Sequence, residues 1–498
     1  MTDTLPAALR AAAARYGDHP AYVEGERTVT FAQLLAWVRD LARGYVGHGL
    51  EPGDRVVVWA PNSIDWVVAA LAASYAGGVL VPANSRYTGH EVADIVNRTR
   101  ARLVVVADGF LDRTQAADLR AAGIGDDVHV ARIDALDELA AAGEDVRPAD
   151  VDARADAVSP DDVADILFTS GTTGRPKGAM SAHRQTVGVA DAWGSLGGVS
   201  SEDRYLVVNP FFHSFGYKAG IVVGLLTGAS LYPVATFDVG ATMALVESAR
   251  VTVLPGAPTI YQSMLAAPDR NDHDLSSLRL AVTGAAVVPV VLIERMRAAS
   301  PEGLGIDQVV TAFGMTEAVV VTMCRGDDAA ETVATTCGRA VPGMEIRQGE
   351  QDELLVRGDF VMLGYLDDPA ATAAAVDADG WLHTGDVCRI DADGNLAITD
   401  RLKDMYICGG FNVYPAEVEQ ALARMDGVVE TAVVGVADER MGEVGAAYVV
   451  RSDPALTAGD VTRFARERLA NFKVPRRVEF VDVLPRNVSG KVLKKDLT

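Results

Sequence analysis

Phe168-Thr169-Ser170-Gly171-Thr172-Thr173-Gly174-Arg175-Pro176-Lys177-Gly178 is the stretch whose reading decides the fold. The run before it, Val163 to Phe168, is apolar but for Asp165 and reads as a buried strand. It then breaks into hydroxyls and glycines and closes on a lysine. Small residues let backbone N–H groups turn inward on an anion, and Ser170, Thr172 and Thr173 add hydroxyl donors. Lys177 supplies a point charge for outer phosphates. The pattern is a phosphate cradle but not a Walker loop, which needs Ser or Thr after its lysine, whereas Gly178 follows Lys177. A flexible Gly/Thr surface loop is the alternative that the stretch alone leaves open.

The chain around it has 498 residues, too many for one ordinary core, so two or more domains are expected. A hydrophobic content of 49% with 23% charged residues is that of a globular protein. A net charge of −23 argues against nucleic acid or an anionic membrane as the main partner. Any anionic ligand must then be held by local positive charge, and from Lys473 onward seven Lys/Arg face three Asp/Glu. Cys324, Cys337, Cys388 and Cys408 show no paired or metal-ligand spacing, which points to a reduced, cytoplasmic setting. Met1 to Arg10 has no signal-peptide pattern. The longest apolar stretches, Val67 to Pro82 and Ile221 to Pro233, fall short of the ~20 residues of a membrane helix, so no integral membrane association is expected.

Apolar strands alternate with helices along the first part of the chain. Helices are expected at Leu5 to Tyr16, stopped by Gly17, at Phe31 to Tyr45, capped by Thr30, at Ile64 to Tyr75 and at His90 to Arg98. Strands are expected at Arg55 to Ala60, Val79 to Pro82 and Leu103 to Ala107, then at Tyr205 to Val208, Leu231 to Pro233, Val251 to Leu254 and Leu278 to Thr283. This rhythm means parallel sheet covered on both faces. Glu144 to Asp162 reads as an exposed acidic connector. After Glu353 the strands shorten (Leu354 to Arg357, Leu382 to Ile390, Leu396 to Thr399), with a hairpin turn at Asp391 to Gly394, as in a small antiparallel sheet or barrel. Beyond a charged break at Asp400 to Asp404 comes a compact α+β unit. Its expected helices are Pro415 to Met425 and Val461 to Ala470, and its strands Thr431 to Val436 and Gly445 to Val450. The fold class is therefore α/β: a large N-terminal domain (1–400) of layered, mostly parallel sheets with a small barrel-like subdomain, and a small C-terminal α+β domain (401–498).

Five further segments carry polar groups at strand ends, each with a bland alternative. Asn209 to Gly216 places His213 in an aromatic cluster, as a pocket wall or as core. Thr283-Gly284-Ala285-Ala286 admits a flat ring or tight packing. Thr311-Ala312-Phe313-Gly314-Met315-Thr316-Glu317 offers a hydroxyl and an acid where a Mg2+ ligand for a nucleotide would sit, or a helix N-cap. Trp381 to Asp386 offers a carboxylate for ribose hydroxyls, or a surface turn. Pro485 to Lys491 ends in a lysine on a tight turn, which is otherwise simply solvated.

Taken in order, these segments resemble the adenylate-forming superfamily of acyl-CoA synthetases, luciferases and peptide-synthetase adenylation domains. The resemblance runs from about Ala21 to the end. The cradle, Thr384-Gly385-Asp386, Asp400-Arg401-Leu402-Lys403-Asp404 and Asn412-Val413-Tyr414-Pro415-Ala416-Glu417-Val418-Glu419 match its motifs in sequence. The resemblance implies ATP, Mg2+ and coenzyme A as cofactors, with a carboxylate attacking the α-phosphate and a thiol then displacing AMP. Positioning and charge stabilisation would carry the catalysis. Thr169, Ser170, Gly171, Thr172, Thr173, Gly174 and Lys177 would bind phosphates. Gly284, Ala285, Ala286, Thr311, Ala312, Phe313, Gly314 and Thr316 would surround the adenine, and Thr172 and Glu317 would orient Mg2+. Asp386 would hold the ribose and Arg401 the ribose or phosphate. Lys491 would bridge the carboxylate and α-phosphate, His213 would wall the acyl site, and Lys403 would be the hinge of a mobile C-terminal lid. Gly409 and Gly410 would line the pantetheine tunnel after the lid swings.

Three departures narrow the branch. Phe313 stands where many members have Tyr. Ile407-Cys408 occupy the place of a luciferase lysine, and Ser214-Phe215 replace the acid that amino-acid-activating members use. Phe212, His213, Tyr217 and Lys218 suggest a bulky pocket with a polar contact, and Lys218 is odd in an aliphatic tunnel. The resemblance therefore favours a ring-bearing keto acid, the sterol-derived bicyclic hexahydroindanedione propanoate. A medium-chain fatty or aryl acid is the alternative, and an acyl-AMP ligase loading a carrier protein is the second. Pro485 to Lys491 also resembles the segment of related ligases that is acetylated on lysine, which implies a protein lysine acetyltransferase acting on Lys491 as a partner. Homodimerisation is left open.

Overall fold

The computed structural model of the chain describes residues 3–169, 176–284, 288, 290–401, 404–408, 411–413, 415–438, 441–469, 471–486 and 492–497. Capping chemistry sets the first helices where the sequence places them. Thr4 caps Leu5–Tyr16, and Gly17, at φ 28, ends it. Thr30 and Gln33 form a reciprocal capping box at the start of Phe31–Gly47. Ser63 caps Ile64–Tyr75, a helix buried at every position except Asp65.

Two large sheets flank these helices. The first has seven strands in the order Gly364–Tyr365, Lys177–Ala182, Val163–Thr169, Val79–Pro82, Arg55–Trp59, Leu103–Val106 and His129–Arg132. Its middle is parallel, and the strands there are apolar on both faces for a visible reason. Val56, Val58, Leu103 and Val105 join the central core, while Val57, Trp59, Val104 and Val106 pack in a second cluster on the opposite face. The second sheet runs Arg27–Thr30, Pro20–Glu24, Ser230–Pro233, Arg204–Val207, then through single bridges at Val253 to Leu280–Gly284, Gln308–Met315, Ala318–Met323 and Arg339–Ala340. The strand expected at Val251 to Leu254 thus reduces to one bridging residue.

Two expectations change. The acidic connector contains a helix, Pro148–Ala157, whose Val151 and Ala155 are buried. Its Asp152 accepts hydrogen bonds from Tyr75 Oη (2.7 Å) and Arg39 Nε (2.9 Å), and Arg10 donates to its carbonyl (2.9 Å). Acidic composition hid an i, i+4 apolar pair and a Pro at the first helical position. Second, the strands on either side of the cradle are partners: Val163–Thr169 and Lys177–Ala182 pair antiparallel, with Thr169 opposite Lys177.

Past residue 340, Met344–Gln348, Glu353–Gly358, Leu382–Ile390 and Leu396–Arg401 form a four-stranded antiparallel sheet, the last hairpin closing through Gly394 at φ 83. From Tyr406 onward a separate five-stranded sheet, with the helices Pro415–Leu422 and Ala458–Arg466, encloses its own core around Val418, Leu422, Val433 and Val461.

Asp165 and Lys218 form an ion pair at 3.1 Å, and their side chains are 0% and 1% exposed. Lys218 lies on a π-helical turn, Tyr217–Val222, and also donates to Ser181 Oγ (2.8 Å), while Thr186 Oγ1 donates to Asp165 (2.6 Å). Burial lowers the lysine's pKa, and the carboxylate opposes that shift. The charge of Lys218 is thus spent inside the protein, so its oddness is explained without a substrate. Breaking such a pair leaves one charge buried alone, at a cost of about 3–5 kcal/mol. Lys218→Met is accordingly expected to lose that much in chemical denaturation, and Asp165→Asn/Lys218→Met to recover most of it. A double mutant no more stable than the single would contradict this account.

His183 is buried, accepts the Leu5 N–H at Nδ1 (3.2 Å), and has its pKa pushed down to about 4 by burial, with Asp165 and Asp162 pulling the other way. The unfolded imidazole, near 6.5, binds a proton that the folded one refuses. Its share of stability is therefore complete above pH 6.5 and is lost as pH falls toward 4. Measured as the difference between wild type and His183→Asn, this loss should be on the order of 3 kcal/mol.

Candidate functional site

Ser170, Gly171, Thr172, Thr173 and Gly174 lie outside the described residues, as do Ala285, Ala286, Lys403, Gly409, Gly410 and Lys491. The flanks of the cradle are described. Thr169 and Lys177 face each other across the strand pair, and Lys177 Nζ sits 4.8 Å from the centre of the Tyr365 ring.

That ring leads to Glu317. Tyr365 Oη donates to Glu317 Oε1 at 2.8 Å, and the carboxylate is buried. The phenol's pKa is raised by burial and then by Glu317, so it stays protonated as a donor. Thr316 and Glu317 form a two-residue turn between Gln308–Met315 and Ala318–Met323, not a helix start. Residues 361–366 stitch this turn to the cradle's second strand through backbone bonds. Val361 bridges Ala318, Met362 N–H donates to Glu317 O (2.7 Å), Leu363 N–H to Met180 O (2.8 Å) and Leu366 N–H to Gly178 O (2.8 Å). Two segments read separately for phosphate and metal are thus neighbours.

The glycines of the expected adenine site have packing reasons of their own. A Cβ at Gly284 would meet Ala312 O at 2.5 Å, across the register pair Gly284–Ala312, and one at Gly314 would meet Val320 N at 2.5 Å. Val320 lies at φ 55, a left-handed conformation costly for a β-branched residue. Thr311 Oγ1 is turned inward to Val333 O (2.9 Å) and Thr336 O (2.7 Å), while Phe313 is half-buried.

Asp386 is buried and is the cross-strand partner of Arg401, so the two residues expected near the ribose are adjacent. Glu353, on the neighbouring strand, holds the strand just before Asp386, accepting from Gly385 N–H (3.0 Å) and contacting His383 Nδ1 (2.9 Å). His213 caps the short turn Ser214–Gly216, its Nδ1 accepting from Phe215 N–H at 3.2 Å. Its ring is solvent-accessible, yet enough protein surrounds it for desolvation to lower its pKa, as for a side chain projecting into a cleft. Asn62 clamps the segment: its Oδ1 accepts from Phe211 N–H (2.7 Å) and its Nδ2 donates to Asn209 O (2.9 Å). Tyr365, Glu353 and Asn62 carried no local sequence signal.

A family described as AMP-binding enzyme matches residues 9–366, and one described as AMP-binding enzyme C-terminal domain matches residues 417–491. The chain belongs to this family of AMP-binding enzymes. It is similar, at 58% identity over 99% of its length and 98% of the relative's, to the 3-[(3aS,4S,7aS)-7a-methyl-1,5-dioxo-octahydro-1H-inden-4-yl]propanoyl:CoA ligase of Rhodococcus jostii (strain RHA1). A ligase of the same name from Mycobacterium tuberculosis (strain ATCC 25618 / H37Rv) is 54% identical over 99% of this chain and 98% of that one. Among solved structures, ATP-bound MatB from Rhodopseudomonas palustris superposes with a TM-score of 0.86 at 30% identity, covering 100% of this chain and 98% of that one. Among the described residues no helix is long and apolar enough to cross a membrane.

His213 is expected to titrate below 6.5 in a histidine-resolved NMR experiment. A midpoint at or above that value would mean that the ring is bathed in bulk solvent and walls no cleft.

Proposed function

We propose that the chain is an AMP-forming CoA ligase whose acid is the bicyclic 7a-methyl-1,5-dioxo-octahydroindenyl propanoate for which its relatives are named. The carrying observation is the 58% and 54% identity of two such ligases across nearly the whole chain. The acid attacks the α-phosphate of ATP and expels pyrophosphate, and CoA then displaces AMP from the acyl-adenylate.

The neighbouring Lys177, Tyr365 and Glu317 support the assignment of the phosphate side. Mg2+ fits there. Glu317 is a hard oxygen donor, and its Oε2 takes no partner among the described residues. Bound there, the ion would neutralise phosphate charge. Thr172 and the other cradle residues would donate to the phosphates, Asp386 and Arg401 would hold the ribose, and Lys491 would draw the carboxylate to the α-phosphate. His213 stands at the acyl side, neutral at pH 7 by its lowered pKa.

The domain boundary falls at residues 400 and 401. The separate core beyond Tyr406 and the gap between the two family matches support it. Lys403 would then lie at a hinge, and Gly409 and Gly410 would meet the pantetheine arm. The reaction is placed in the cytoplasm, where ATP and CoA are supplied.

The test is pyrophosphate release from ATP across medium-chain, aryl and bicyclic keto-propanoates, with and without CoA. The bicyclic acid should turn over and require CoA for the thioester; turnover of linear acids alone would discard that substrate. Lys491→Ala should lower adenylation by ~100-fold or more while ATP still binds. Near-normal pyrophosphate release in that variant would remove Lys491 from the reaction.

A further inference from the structure

Tyr365 touches both arms of the phosphate side and belongs to neither motif that suggested them. Its hydroxyl donates to one oxygen of Glu317 at 2.8 Å, and its ring lies 4.8 Å from Lys177 Nζ. The residue itself has little freedom. Its N–H donates to Thr372 Oγ1 (2.9 Å), its backbone pairs with Ala179, and its ring packs with Ala179 and Met362 in a small apolar cluster. Gly364, at φ 142, brings the chain so close to Thr372 that a Cβ would meet that side chain at 2.9 Å. A rigid phenol thus lies between a buried carboxylate and an ammonium on a flexible stem.

We infer that Tyr365 is a positioning residue for metal-bound nucleotide: its hydroxyl fixes the Glu317 carboxylate so that one oxygen is kept for a divalent cation, and its ring parks Lys177 beside the cradle. The inference rests on the ligase reading and deepens it. A carboxylate with one oxygen held by a neutral donor presents the other in one orientation, which a small cation with strict octahedral demands rewards. An ammonium held over an aromatic face stays near its working position at little cost in desolvation. The two arms are separable by substitution. Tyr365→Phe removes the hydroxyl and keeps the ring, whereas Tyr365→Leu removes both.

The experiment is calorimetric titration of the full chain with ATP, in EDTA and in Mg2+, accompanied by KM for the acid and kcat. In wild type Mg2+ should tighten ATP. Tyr365→Phe should lose about tenfold of that Mg2+-linked tightening, the effect of one hydrogen bond to a charged group, with ATP affinity in EDTA and KM for the acid unchanged. Tyr365→Leu should also weaken ATP about threefold in EDTA, the share of the cation–π contact. The inference is overturned if Tyr365→Phe matches wild type in both buffers. Equal weakening in both buffers also overturns it, since that marks a merely structural role. A wild-type chain that bound no ATP in either buffer would overturn the ligase reading along with it.

Discussion

A single ion pair in the dry interior, Asp165 with Lys218, sets the frame on which the rest is hung. Asp165 lies on the strand that enters the cradle, Ser181 on the strand that leaves it, Thr186 on the helix that follows, and Lys218 on the turn just after His213. A buried charge without its partner is costly, so these four elements move together or not at all. The strands on either side of the cradle and the turn after His213 therefore share one anchor.

The parts of the fold that were legible are those decided by neighbours in sequence. Thr30 with Gln33, and Gly17 after Tyr16, announce helix ends through contacts spanning three or four residues. The runs at Val56 to Trp59 and Leu103 to Val106 announce doubly covered strands because every position along them meets a core. What was not legible depends on partners far along the chain. Nothing near Tyr365 reveals its bond to Glu317, 48 positions away, nor does anything near Asn62 reveal Phe211, 149 positions away. The strand after the cradle, Lys177–Ala182, is built of Gly, Ala, Met and Ser and has no β-branched signature, so only its pairing identifies it.

The site divides along the same line. Its motifs were found by residue type and order; in the fold Lys177 and Glu317 both touch Tyr365, and Asp386 lies opposite Arg401 on neighbouring strands. The chemistry assigned to Lys218 did not survive, because the charge that looked available to a substrate is consumed by Asp165. Thr311 is similar: its side chain closes a hydrogen-bond account with two carbonyls inside the domain. A polar residue type announces capacity, and only the fold decides where that capacity is used.

The stitch formed by residues 361–366 has a further meaning for how such a chain diversifies. It joins the Glu317 turn to the strand Lys177–Ala182 through main-chain donors and acceptors, which almost any residue supplies. The wall around His213 is instead made of particular side chains, Phe211 against Trp66 and Phe215 against Trp193. Mutation can therefore reshape the surroundings of His213 residue by residue while the stitch between Glu317 and Gly178 keeps its geometry. A lineage built this way is free to change its acid without relearning how to hold its nucleotide.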